Sequence, residues 1–133
     1  MLFAIAWVLS APSAQVSITV SVEHNRGAVY CSLFNRSEGF PGDEKKAMAT
    51  RRVKPTKGKA LCIFKSVPPG TYAAAAYHDE NSNGELDTNW VGIPSEGIGA
   101  SNGATGTLGP PKFEDAAFSV PASGSSQTLK LSY

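Results

Sequence analysis

Residues 15–22 alternate without a break: Val16, Ile18, Val20 and Val22 interleave with Ser17, Thr19 and Ser21. Successive side chains of a strand point to opposite faces, so this pattern buries one face and wets the other. The same rhythm returns in short runs. Residues 28–34 place Val29, Cys31 and Leu33 on one face and Tyr30, Ser32 and Phe34 on the other. Residues 60–65 align Ala60, Cys62 and Phe64, and residues 128–133 align Leu129 with Leu131. Glu23-His24-Asn25-Arg26-Gly27 and Val67-Pro68-Pro69-Gly70-Thr71 are turns between such runs. His24, alone in its turn, reads as a solvated residue. Residues 72–78 contain four successive alanines, a composition open to helix. Entry through Pro-Pro-Gly and exit into a polar loop favour a strand with a closely approached backbone. Residues 116–120 read as a further strand, and residues 51–55 as an edge strand protected by Lys54 and Pro55. Residues 43–49 can form one or two helical turns with Asp43 as N-cap. The expectation is an all-β protein: a seven-stranded antiparallel β-sandwich of immunoglobulin-like topology.

Residues 78–115 depart from this rhythm. Loops of about forty residues are uncommon unless functional or disordered. This one is rich in Gly and Pro but carries Trp90, Val91, Ile93, Ile98 and Phe113, anchors that argue for order. It opens with His78-Asp79-Glu80-Asn81-Ser82-Asn83-Gly84-Glu85-Leu86-Asp87. Asp79, Asn81 and Asn83 stand at alternate positions before Gly84, the D-x-[DN]-x-[DN]-G spacing of a calcium loop. Ca²⁺ takes about six to eight oxygens, and a loop wrapped round it offers positions 1, 3, 5, a carbonyl at 7, and 9. Those are Asp79, Asn81, Asn83, the Glu85 carbonyl and Asp87. Position 12, a bidentate Glu in an EF-hand, is Trp90, and no helix precedes the loop. His78, Glu96, Glu114, Asp115 or water remain as further ligands or pocket groups. The alternative is a polar turn that binds nothing.

The 133 residues fit one domain, 15–133, with the insertion at 78–115. Net charge is +1, which gives no global field toward nucleic acid, and Trp90 and the tyrosines are not interleaved with the basic residues. Charge is unevenly distributed: residues 35–65 hold nine basic groups and three acids, and residues 78–115 hold seven acids and Lys112. The acidic half draws cations; the basic half reads as a solvated face, with an anionic glycan or lipid partner as the alternative. Residues 1–14 are uncharged, mostly apolar, and end in small residues, so they read as a signal peptide. They are too short for a membrane span, which leaves no span in the mature chain. In an exported chain, Cys31 and Cys62 form a candidate disulfide; two buried thiols are the alternative.

Together with the calcium-loop run, Gly92-Ile93-Pro94-Ser95-Glu96-Gly97, Ser101-Asn102, Gly109-Pro110-Pro111 and Phe113-Glu114-Asp115-Ala116 resemble the signature of a bacterial family, domain of unknown function 2141 (DUF2141). Ser32-Leu33-Phe34, Glu38-Gly39-Phe40-Pro41 and Pro68-Pro69-Gly70-Thr71-Tyr72 match it too, so the resemblance spans residues 16–133. It implies an exported protein, periplasmic or secreted, with a prealbumin-like β-sandwich fold and no established activity. Cys31 and Cys62 are not part of that pattern.

Two function classes follow. The first is a non-enzymatic, calcium-stabilised envelope or secreted module, whose ordered loop meets a glycan, peptide or protein or whose role is purely structural. With two ligand carboxylates its calcium affinity is modest, about 10⁻⁴–10⁻³ M. The second is a metal-assisted hydrolase drawing on His78, Glu96, Ser101, Glu114 and Asp115. The chain has two histidines and no G-x-S-x-G or H-E-x-x-H motif, so the first class is preferred.

Overall fold

A computed structural model describes residues 14–80, 97–106 and 109–133. In chain order the strands are β1 (Ala14–Ser21), β2 (Ala28–Phe34), β3 (Ala49–Val53), β4 (Lys59–Val67), β5 (Gly70–Asp79), β6 (Ile98–Ala100), β7 (Phe118–Val120) and β8 (Ser125–Lys130). One sheet has the order β4–β1–β8; the other runs β3–β2–β5–β6, with β7 paired to the first residues of β5. The two sheets make an all-β sandwich.

The core follows the alternation. Val16, Ile18 and Val20 from β1 meet Val29, Cys31 and Leu33 from β2, with Ala60, Cys62 and Phe64 from β4 and Leu129 from β8. Ala74 and Ala76 of β5 face the same space. The run of alanines is a strand because β5 is central and covered on both sides. Its other face puts Ala73 against Ala100 and Ala116, beneath Phe40 and Phe113. Cys31 and Cys62 are bonded, with Cα atoms 6.6 Å apart, so the bridge ties the middle of β2 to the middle of β4 across the sandwich. β3 and β4 are both edge strands. Arg51 of β3 donates from Nε to the Ile63 carbonyl of β4 at 3.1 Å, and its guanidinium covers the Phe64 ring at 4.9 Å. The basic residues here close the side of the sandwich where two edges meet.

Three expectations need correction. The described strands number eight rather than seven: β6 is three residues with Gly99 at its centre, too short to show alternation, and is recognisable only by its pairing with residues 75–77 of β5. The sandwich is not antiparallel throughout, since β1 and β8 pair in parallel, Val16 opposite Ser125 through Ser21 opposite Lys130. The chain leaves β7 in one sheet, turns at residues 121–124 and enters β8 in the other, and a change of sheet carries no hairpin constraint on direction. Ala116 closes a helical turn, α1 (Phe113–Ala116), and the strand begins at Phe118. The expected N-cap is present: the Asp43 carboxylate accepts from the Lys45 N–H at 3.1 Å ahead of a single 3₁₀ turn, Glu44–Lys46. The segment read as a signal peptide lies, up to residue 13, outside the described residues.

Candidate functional site

The last residues of β5 carry the chemistry. His78 shares the inward face with Ala74 and Ala76 and lies fully buried at the end of the core. Its Nε2 is 2.5 Å from the Arg26 carbonyl, which only accepts, so that nitrogen is the donor. In the neutral ring Nδ1 then accepts from the Tyr133 hydroxyl at 2.6 Å. The same hydroxyl takes the Glu23 N–H at 3.2 Å. The His24 ring lies beside His78, centroids 4.5 Å apart and tilted by 35°. Arg26 N–H donates to His24 Nδ1 at 3.2 Å, which leaves Nε2 to face Glu80 Oε1 at 2.5 Å. The His24 and Glu80 side chains are 24% and 28% exposed, so both are partly open to solvent, as is Tyr133.

Two glycines permit this assembly. Gly27 has φ +68°, and a Cβ there would collide with the Asp79 carbonyl. The turn at residues 23–27 therefore presses directly on the end of β5, bringing His24 and the Arg26 carbonyl onto His78. A Cβ on Gly97 would meet the Tyr133 ring at 2.6 Å. Tyr133 is delivered there because Ile98 and Ser132 exchange two backbone hydrogen bonds, at 3.0 and 2.8 Å. Burial first, then the neighbouring Glu80 and Glu23 carboxylates, push the Tyr133 phenol above its ordinary pKa, against an opposing hydrogen bond from the Glu23 backbone. It remains a donor at neutral pH.

Of the five calcium-loop positions, Asp79 is the one among the described residues. Asp79 is fully buried, pairs with Ala28, and ends β5. Asn81, Asn83, Glu85, Asp87 and Glu96 lie outside the described residues. The two ends of that segment are close, since His78 N–H donates to the Gly97 carbonyl at 2.8 Å. Other candidates are elsewhere. Ser101 is buried, donates from Oγ to the Ala116 carbonyl at 2.5 Å and receives the Ala74 N–H at 2.9 Å, so its hydroxyl joins β5 to α1. Ala74 and His78 stand four residues apart on one strand, about 13 Å, so Ser101 and His78 are not brought together. Glu114 and Asp115 are exposed on α1, on the Ser101 side of β5.

His24 was expected to be solvated and is instead paired with Glu80 and packed on His78. No local signal marks it, nor Tyr133. Both join the cluster through long-range pairing of the chain, and the one sequence hint is Gly27 closing the His24 turn.

The family model described as "Uncharacterized protein conserved in bacteria" matches residues 16–129. No curated protein and no solved structure matches the chain.

Proposed function

The chain belongs to that bacterial family, DUF2141, and from this premise we propose that it is an exported, non-catalytic binding module of the cell envelope whose insertion is ordered by calcium. Asp79, Asn81, Asn83, the Glu85 carbonyl and Asp87 supply the oxygens, and the ordered insertion meets a glycan, peptide or envelope protein. The observation that supports this reading is the rooting of the ligand run: its first carboxylate, Asp79, is fully buried at the end of a central strand, and the His78–Gly97 hydrogen bond brings Gly97, ten residues past Asp87, back to that strand end. A loop whose ends are already fixed loses less entropy when an ion orders it, because closure is complete before the ion binds. The Cys31–Cys62 disulfide, a bond that persists in oxidising compartments, agrees with export.

The test uses Trp90, three residues after Asp87, in protein without residues 1–14, so that Trp7 does not contribute. Calcium added to chelator-treated protein changes its emission with a midpoint of about 10⁻⁴–10⁻³ M, and chelator reverses the change. Emission that does not respond to calcium refutes the reading.

A further inference from the structure

We propose that the protein carries a second cation site, of transition-metal rather than calcium chemistry, in which His24, His78 and Glu80 bind one divalent ion of the zinc class beside the Tyr133 hydroxyl. One ring nitrogen from each histidine and one Glu80 carboxylate oxygen all lie within 4.8 Å of one another. Donors around a tetrahedral zinc, at about 2.0–2.2 Å from the metal, stand roughly 3.3–3.5 Å apart. The widest pair must therefore close by up to about 1.5 Å while the His24–Glu80 pair, now at 2.5 Å, opens, and both movements fall on His24 and Glu80, the two members with partly exposed side chains. His78 stays fixed.

The surroundings of His78 match what a ligating histidine requires. In metal sites the ligand's other ring N–H is given to a carbonyl or carboxylate, which sets the tautomer and aims the free nitrogen. His78 gives Nε2–H to the Arg26 carbonyl and presents Nδ1, where the Tyr133 hydroxyl now sits at 2.6 Å. An ion entering at Nδ1 displaces the hydrogen bond from Tyr133; the phenol keeps its proton and turns it to water, and its oxygen lone pair stands beside the ion as a neutral fourth neighbour. Ligation through His24 Nε2 moves the ring proton to Nδ1 and releases the Arg26 N–H, an exposed contact of 3.2 Å that water can replace. Two imidazoles with one carboxylate suit zinc, copper or nickel, whereas calcium takes oxygens alone. Zinc binding therefore stands independently of whether Asn81, Asn83 and Asp87 hold calcium. Glu80 follows Asp79 directly, so a metal at this cluster fixes the same strand end from which the calcium run departs.

The test is calorimetric titration of zinc chloride, and separately of calcium chloride, into untagged, chelator-treated full chain, with His24→Ala and Asp87→Ala alongside. The expected result is one zinc per chain, an affinity at least tenfold weaker in His24→Ala, and unchanged zinc binding in Asp87→Ala. Cobalt as the probe should give the visible absorption of a four-coordinate site in wild type and lose it in His24→Ala. Glu80→Gln, altered at a partly exposed side chain, carries the same test if His24→Ala does not fold. Zinc binding that is absent, or equal in wild type and in both cluster variants, overturns the proposal. Calcium binding lost in Asp87→Ala with zinc retained separates the two sites, and calcium retained with zinc absent sinks this proposal alone.

Discussion

Reduction of the Cys31–Cys62 bridge should cost the protein much of its stability. The two cysteines are 31 residues apart in sequence and lie on different sheets. A cross-link closing a loop of that length removes about 12 cal/mol/K of entropy from the unfolded chain, or about 3.7 kcal/mol at 25 °C. A domain of about 120 residues unfolds with an entropy of about 0.25 kcal/mol/K, so the melting temperature should fall by about 15 °C. Both cysteines are fully buried, so reduction is carried out on unfolded protein and the thiols are counted before refolding. Calorimetry of the oxidised and reduced forms reads the difference directly. The two thiols need more room than the bonded sulfurs, so the loss reports the covalent constraint together with local repacking where β2 faces β4. A difference below about 3 °C would mean that the unfolded chain is not held open at this point, and would refute the reasoning.

Ser101→Ala leaves the Ala74 N–H and the Ala116 carbonyl without their buried partner. Urea denaturation should show a loss of about 2–4 kcal/mol, and a loss under about 0.5 kcal/mol would contradict the clamp. The Tyr77 phenol is pushed well above its ordinary pKa, chiefly by burial and then by the Glu44 carboxylate beside it. A raised folded pKa contributes stability that is complete below the unfolded value near pH 10 and disappears as pH rises past it. Urea midpoints should therefore be flat up to about pH 9.5 and fall above about pH 10, with a shallower fall in Tyr77→Phe; an identical slope in that variant rules out the assignment.

The sandwich was legible in the sequence because period-two alternation is a local property. Val16, Ile18 and Val20 declare their face without reference to any other strand, and the inward direction of Cys31 and Cys62 follows from the same rule. β6 was not legible, since Ile98-Gly99-Ala100 becomes a strand only by adding to β5. The parallel pairing of β8 with β1 depends on where the chain crosses between sheets, which no window of residues encodes. In the region of the candidate sites, the spacing from Asp79 to Asp87 is a local pattern that a sequence can display, although only its first position, Asp79, falls among the described residues. The His24–His78–Glu80–Tyr133 cluster is not, because its members come from a turn, a strand end and the last residue, assembled by the close approaches at Gly27 and Gly97. Ser101 shows the converse: a nucleophile-bearing residue in a conspicuous loop whose hydroxyl is consumed by the backbone.

Calcium-dependent thermal stability of wild type against Asp87→Ala measures the main claim most directly. With a dissociation constant of about 10⁻⁴–10⁻³ M, calcium at about 10 mM should stabilise the folded chain by about 1.4–2.7 kcal/mol. That corresponds to a rise in melting temperature of about 6–11 °C for a domain of about 120 residues, abolished or nearly so in Asp87→Ala. An unchanged melting temperature in wild type, or an equal rise in both proteins, would contradict an insertion ordered by an ion held between Asp79 and Asp87.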